Sequence, residues 1–105
     1  MYIHEKLFDI CNNNILLYRE LIEKIKIDYQ SSIKILIESK IEKNIIIPRQ
    51  IAHRIIGTIS YLDRTLELIY LCKTILLYDK TNTTYEIYKP HIEELTEYNI
   101  DYIIG

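Results

Sequence analysis

Apolar residues along this chain recur at intervals of three and four, the spacing of one helix face, rather than at the interval of two that marks a strand. Near the start, Ile3, Leu7, Ile10, Asn14, Leu17 and Leu21 form one such stripe, widened by Tyr18, Ile22 and Ile25. Its steady phase predicts a helix from about Ile3 to Lys26. Asn12-Asn13-Asn14 is the weak point, because each asparagine is a poor helix former and three together can make a turn. The pattern leaves open whether they break the helix.

Asp28 stands where an N-cap would start a second helix, with Tyr29, Ile33, Leu36, Ile37 and Ile41 on one side and Asn44 at its end. Ile45-Ile46-Ile47 is expected to be extended, because the residue before Pro48 avoids the helical region. Pro48 suits the first position of a third helix. That helix is read as continuous over residues 48–78, with Ile55, Ile59, Leu62, Leu66, Ile69, Lys73 and Leu76 in phase. From Leu66 to Tyr78 its only charges are Glu67 and Lys73. A helix apolar all round is expected to be enclosed by other helices. Thr81-Asn82-Thr83-Thr84 reads as a loop, Thr83 and Glu86 stand at capping-box spacing, and Pro90 is expected to open the last helix. Its inner face would hold Ile92, Leu95, Asn99, Tyr102 and Ile103.

A straight helix over residues 48–78 would be about 46 Å long at 1.5 Å per residue. A compact domain of this size has a radius of gyration of about 13 Å. The rod therefore bends at Gly57, belongs to an elongated bundle, or ends on another chain. A glycine inside a helix costs about 1 kcal/mol relative to alanine, so Gly57 is expected at a close crossing or a kink. The architecture that follows is all-α: a single domain over residues 1–105, built as an elongated antiparallel bundle of four to five helices around a long central one.

Composition supports a globular chain, with 105 residues, 49% hydrophobic and 27% charged. Valine is absent, Ala52 is the sole alanine, isoleucine dominates, and tyrosine occurs 10 times. This bias fits AT-rich coding and overlaps the composition of hot-adapted proteins, which points to an archaeal or viral source. A net charge of −2 provides no global basic field for nucleic acid. Cys11 and Cys72 lie in apolar stretches without metal-like spacing and read as core thiols in a reducing compartment. No signal peptide or membrane-length apolar run is visible, so a soluble cytoplasmic protein is expected (host cytoplasm if viral), with no membrane partner.

Candidate chemistry gathers at Arg49-Gln50-Ile51-Ala52-His53-Arg54. Arginines in the first turns of a helix oppose its dipole. Together with free N–H groups there, they suit a phosphate, a nucleic-acid backbone or a carboxylate. Lys40, Lys43, Arg49, His53 and Arg54 form the candidate anion or nucleic-acid site. Arg49 and His53 also resemble the arginine–histidine motif of HEPN ribonuclease domains, which are all-helical. The resemblance implies RNA cleavage with His53 in the mechanism. This chain has three residues between the two, where the family has four to six, and lacks the polar residue that follows the arginine.

Asp28-Tyr29 and Arg64-Thr65-Leu66-Glu67-Leu68-Ile69 are similar to segments of the helical domain of GINS replication subunits, without that family's lysine. This implies a small subunit of a nucleic-acid machine. His4 and His91 have no partners at metal spacing and are expected to be structural; no metal, cofactor or catalytic residue is assigned. Clustered tyrosines favour interfaces. Tyr98 and Tyr102 are therefore expected protein contacts, as are Leu68, Leu71, Ile75 and Tyr78 on the apolar second half of the long helix. The leading expectation is a non-enzymatic helical adaptor or small accessory subunit that forms a homodimer or joins a larger complex. A nucleic-acid-binding subunit of a replication or defence complex is the alternative, and a ribonuclease is the third reading.

Overall fold

The computed structural model describes residues 2–78, 81 and 83–105, and every regular element among them is a helix. The helices are α1 (Glu5–Ile10), α2 (Ile15–Ser39), α3 (Ile46–Thr58), α4 (Leu66–Leu77), α5 (Tyr85–Glu97) and α6 (Asp101–Ile104). α2 packs on α3, α3 on α4 and α4 on α5, and α5 returns to α2. Short connections between helices in contact make this ring antiparallel. The body measures 47 × 22 × 19 Å, so the bundle is elongated as its residue pattern predicts.

The long central helix expected over residues 48–78 is instead two helices, α3 and α4, separated by a turn. The longest rod is α2, of 25 residues. The cause of the break is tertiary. The Asp63 N–H donates to Nδ1 of buried His4 at 2.8 Å, and the Tyr2 hydroxyl donates to the Asp63 carboxylate at 3.1 Å. Arg64 takes a left-handed backbone (φ 64°) and lays its guanidinium over the Tyr2 ring, 3.5 Å from the centroid. The N-terminal strap thus holds the turn, while Ile59 and Leu62 within it remain buried. Gly57 makes no close crossing: a Cβ placed there would meet nothing within 4 Å.

The expected helix from Ile3 to Lys26 is also divided. Asn12 and Asn13 adopt positive φ, which asparagine tolerates, and Asn14 caps α2 by accepting from the N–H groups of Leu16 and Leu17. The turn resets the helix phase, so Cys11 and Tyr18 are buried while Ile10 and Leu17 face water. Asp28 caps nothing, because α2 runs straight through it. Asn44 opens the next helix rather than ending the previous one. Its Oδ1 accepts from Ile46 N–H at 2.8 Å and Ile47 N–H at 2.9 Å, drawing Ile46 and Ile47 into α3 despite the proline that follows. Pro48 is tolerated because first-turn N–H groups have no helical partner.

α5 starts at Tyr85 after Thr84, with no side-chain cap bond, and carries Pro90 inside it rather than at its head. Of the loop expected over residues 81–84, residue 82 lies outside the described residues. The expected inner face holds at Ile92, Leu95 and Ile103, whereas Asn99 and Tyr102 are exposed.

Candidate functional site

The basic residues expected to converge are each directed elsewhere. Arg49 lies in the first turn of α3, where its charge opposes that helix's own dipole. Its side chain reaches the C-terminus of α4 instead, where a cation is favoured. Nη1 donates to the Tyr78 carbonyl at 2.7 Å, the Tyr88 hydroxyl at 3.2 Å and the Ile75 carbonyl at 3.4 Å, and Nη2 to the Leu76 carbonyl at 3.4 Å. One guanidinium fork thereby caps α4 and ties it to α3 and α5.

Arg54 pairs with Asp28 at 2.6 Å, and the Thr58 hydroxyl donates to the other oxygen of Asp28 at 2.6 Å. These bonds, the Arg54 one foremost, hold the Asp28 carboxyl below the usual carboxylate range and join α2 to α3. Lys40 donates to the Thr96 hydroxyl at 3.3 Å. Lys43 is exposed in the turn after α2 with φ 52°. The five residues therefore span separate junctions of the bundle. Arg49 and His53 share a groove of about 760 Å³ that Ile45, Ile46, Gln50, Tyr78 and Thr81 also line.

The expected contact residues divide similarly. Leu68 and Ile75 are fully buried in the chain's own core with Cys72, so they are not available to another molecule in this fold. Tyr78 is half-buried, edge-on to Tyr88, with its hydroxyl 2.9 Å from His91 Nε2. Leu71, Tyr98 and Tyr102 line a shallow hollow of about 310 Å³ beside Glu67, Glu94 and Glu97. Burial, then the charges of Glu67 and the neighbouring Tyr102, push the Tyr98 hydroxyl upward in pKa. Both histidines expected to be structural are bonded within the fold.

α4 is enclosed on one side only. Opposite Leu68, Cys72 and Ile75, it presents Leu66 (86% exposed), Tyr70 (69%) and Leu77 (83%) to solvent, with Lys73 exposed among them. Residue-pattern reasoning missed this face, although a signal was present. Glu67 and Lys73, the two charges of the run, lie three residues before and after Tyr70 and so bracket it on one side of the helix.

His4, in the N-terminal strap, is a buried polar group. Its ring is fully buried, its Nδ1 accepts from Asp63, and its backbone N–H donates to the Tyr18 hydroxyl at 2.9 Å. Nε2 has no partner in hydrogen-bonding geometry. Burial pulls the imidazole below its ordinary pKa, opposed by the Ile103 carbonyl and the Asp63 charge, with Arg64 adding to the fall. Accepting at Nδ1 requires the neutral ring.

Among the described residues no group of three or more histidine, cysteine or carboxylate side chains is placed to hold a metal, and no helix is long and apolar enough to cross a membrane. No protein-family model, curated protein or solved structure matches this chain.

Proposed function

We propose that this chain is a non-enzymatic helical interaction module that associates with a second copy of itself. The observation that carries the reading is the outward side of α4, where Leu66, Tyr70 and Leu77 lie open on a helix whose other side is core. Together they offer roughly 400–500 Å² of apolar surface, the size of the largest patch on a typical monomer and often a functional one. Net charge of only −2 leaves little long-range repulsion between copies.

The nucleic-acid reading draws less support, since Arg49, Arg54 and Lys40 are engaged with the α4 terminus, Asp28 and Thr96. The ribonuclease reading draws less still, because the Arg49 guanidinium is spent on the carbonyls at the end of α4, although it lines the same groove as the exposed His53. Sedimentation velocity over about 1–100 µM tests the proposal, the range being set by the modest patch. A concentration-dependent shift from monomer to dimer is expected. A single monomeric species throughout removes the reading.

A further inference from the structure

The exposed stripe on α4 runs Leu66, Tyr70, Lys73, Leu77, with steps of four, three and four that read the same from either end. Leu68, Cys72 and Ile75 are buried on the opposite side, which places the whole stripe outward. From this symmetry, and resting on the self-association proposed above, we infer that α4 docks antiparallel on α4 of a second copy. In that register Leu66 meets the second copy's Leu77, and Tyr70 meets the second copy's Lys73; the two-fold axis generates each contact twice.

Charge selects the direction. Antiparallel pairing sets each ammonium against the electron-rich face of a tyrosine, a favourable contact. Parallel pairing in the same phase would set Lys73 against Lys73 and Tyr70 against Tyr70, with like charges meeting at the centre of the contact. A two-fold pairing is also closed, since the same patch serves both copies and leaves nothing to propagate a fibre. The apolar area of the two patches together falls below that of standard stable interfaces, about 1,600 Å². Association is therefore expected to be weak and reversible.

Thiol cross-linking tests the register. Leu66→Cys and Leu77→Cys are made singly on the full chain, where the native thiols Cys11 and Cys72 are buried and give no background. Residues 66 and 77 are about 16 Å apart along one helix, beyond the reach of a short thiol-to-thiol linker. Neither variant alone should form a covalent dimer, whereas an equimolar mixture of the two should. Covalent dimers from either variant alone would overturn the antiparallel register. Tyr70→Glu should weaken the dimer at least about 100-fold, with helix content by circular dichroism unchanged, as a largely solvated position allows. Lys73→Glu should weaken it about 10-fold while Lys73→Arg retains it.

If wild type dimerises but the mixture does not cross-link, and Leu16→Glu, which alters an exposed apolar side chain in the first turn of α2, dissociates it where Tyr70→Glu does not, the α4 contact falls while self-association stands. If wild type stays monomeric, both fall.

Discussion

Replacing Arg49 is expected to destabilise the bundle rather than to remove a binding activity. Arg49→Met keeps the aliphatic stem and deletes every donor. The bond to the Tyr78 carbonyl at 2.7 Å is short and charge-assisted, that to the Tyr88 hydroxyl at 3.2 Å is ordinary, and those to Ile75 and Leu76 at 3.4 Å are marginal. A hydrogen bond to a charged group contributes about 1.5–3 kcal/mol. A cation at a partly buried helix C-terminus adds up to about 2 kcal/mol, which overlaps the first figure because the same carbonyls are involved. Arg49 is only half-buried, so water replaces part of the loss. The net expectation is about 2 kcal/mol, a fall in Tm of about 10 °C for a domain of this size. Urea unfolding followed by circular dichroism measures the first figure, and a thermal melt the second. Arg49→Lys should recover about half, since an ammonium supplies the charge without the planar fork. Arg49→Met within about 0.5 kcal/mol of wild type would refute the capping role.

Three further outcomes follow from buried or unused groups. The neutral ring of His4 contributes stability that is fully present above the unfolded pKa of 6.5 and is lost as pH falls through that value toward the depressed folded one, because the unfolded state binds the proton first; urea titrations from pH 8 to pH 5 should show this slope, and His4→Gln should flatten it. The Tyr29 hydroxyl is buried without a partner, so Tyr29→Phe should be neutral or stabilise by up to about 1 kcal/mol, and a loss in chemical denaturation would mean that the hydroxyl is bonded. Gly57→Ala, in the last turn of α3 with open space around it, should stabilise by about 0.5–1 kcal/mol, and a lowered Tm would show a constraint at that position.

The helical class was legible because spacing at three and four survives any local rearrangement, and Ile55, Ile59, Leu62, Ile92 and Leu95 are indeed core. Boundaries were less so, for identifiable reasons. Asn12–Asn14 kept the phase of the stripe only by coincidence. A turn adds its own rotation, so Cys11 and Tyr18 are core as expected whereas Ile10 and Leu17, expected beside them, face water. The break at residues 59–65 was invisible because its cause lies at the far end of the chain, in Tyr2 and His4. The same distance hid Arg49: a cation in a first turn looks like an anion site until the carbonyls of residues 75–78 arrive beside it. Lys73 was legible and was misplaced, since the few charges of an apolar helix, here Glu67 and Lys73, mark the side that water reaches.

That wet side separates folding from association, and the separation has a measurable consequence. Leu66→Gln, Tyr70→Gln and Leu77→Gln combined remove the apolar stripe of α4 but touch little that the monomer buries, since the three side chains are already 86%, 69% and 83% exposed. Complete burial of such side chains is worth about 1.5–3 kcal/mol each, so the small buried remainders amount to about 1 kcal/mol in total. Glutamine is nearly as good a helix former as leucine and better than tyrosine, which offsets part of that. The triple variant should therefore unfold within about 1 kcal/mol of wild type when both are monomeric, and should not dimerise at any concentration reached. Leu68→Ala, on the same helix but fully buried, should cost about 2–5 kcal/mol. If the triple variant unfolds instead, the outward side of α4 belongs to the core, and the surface on which self-association rests does not exist.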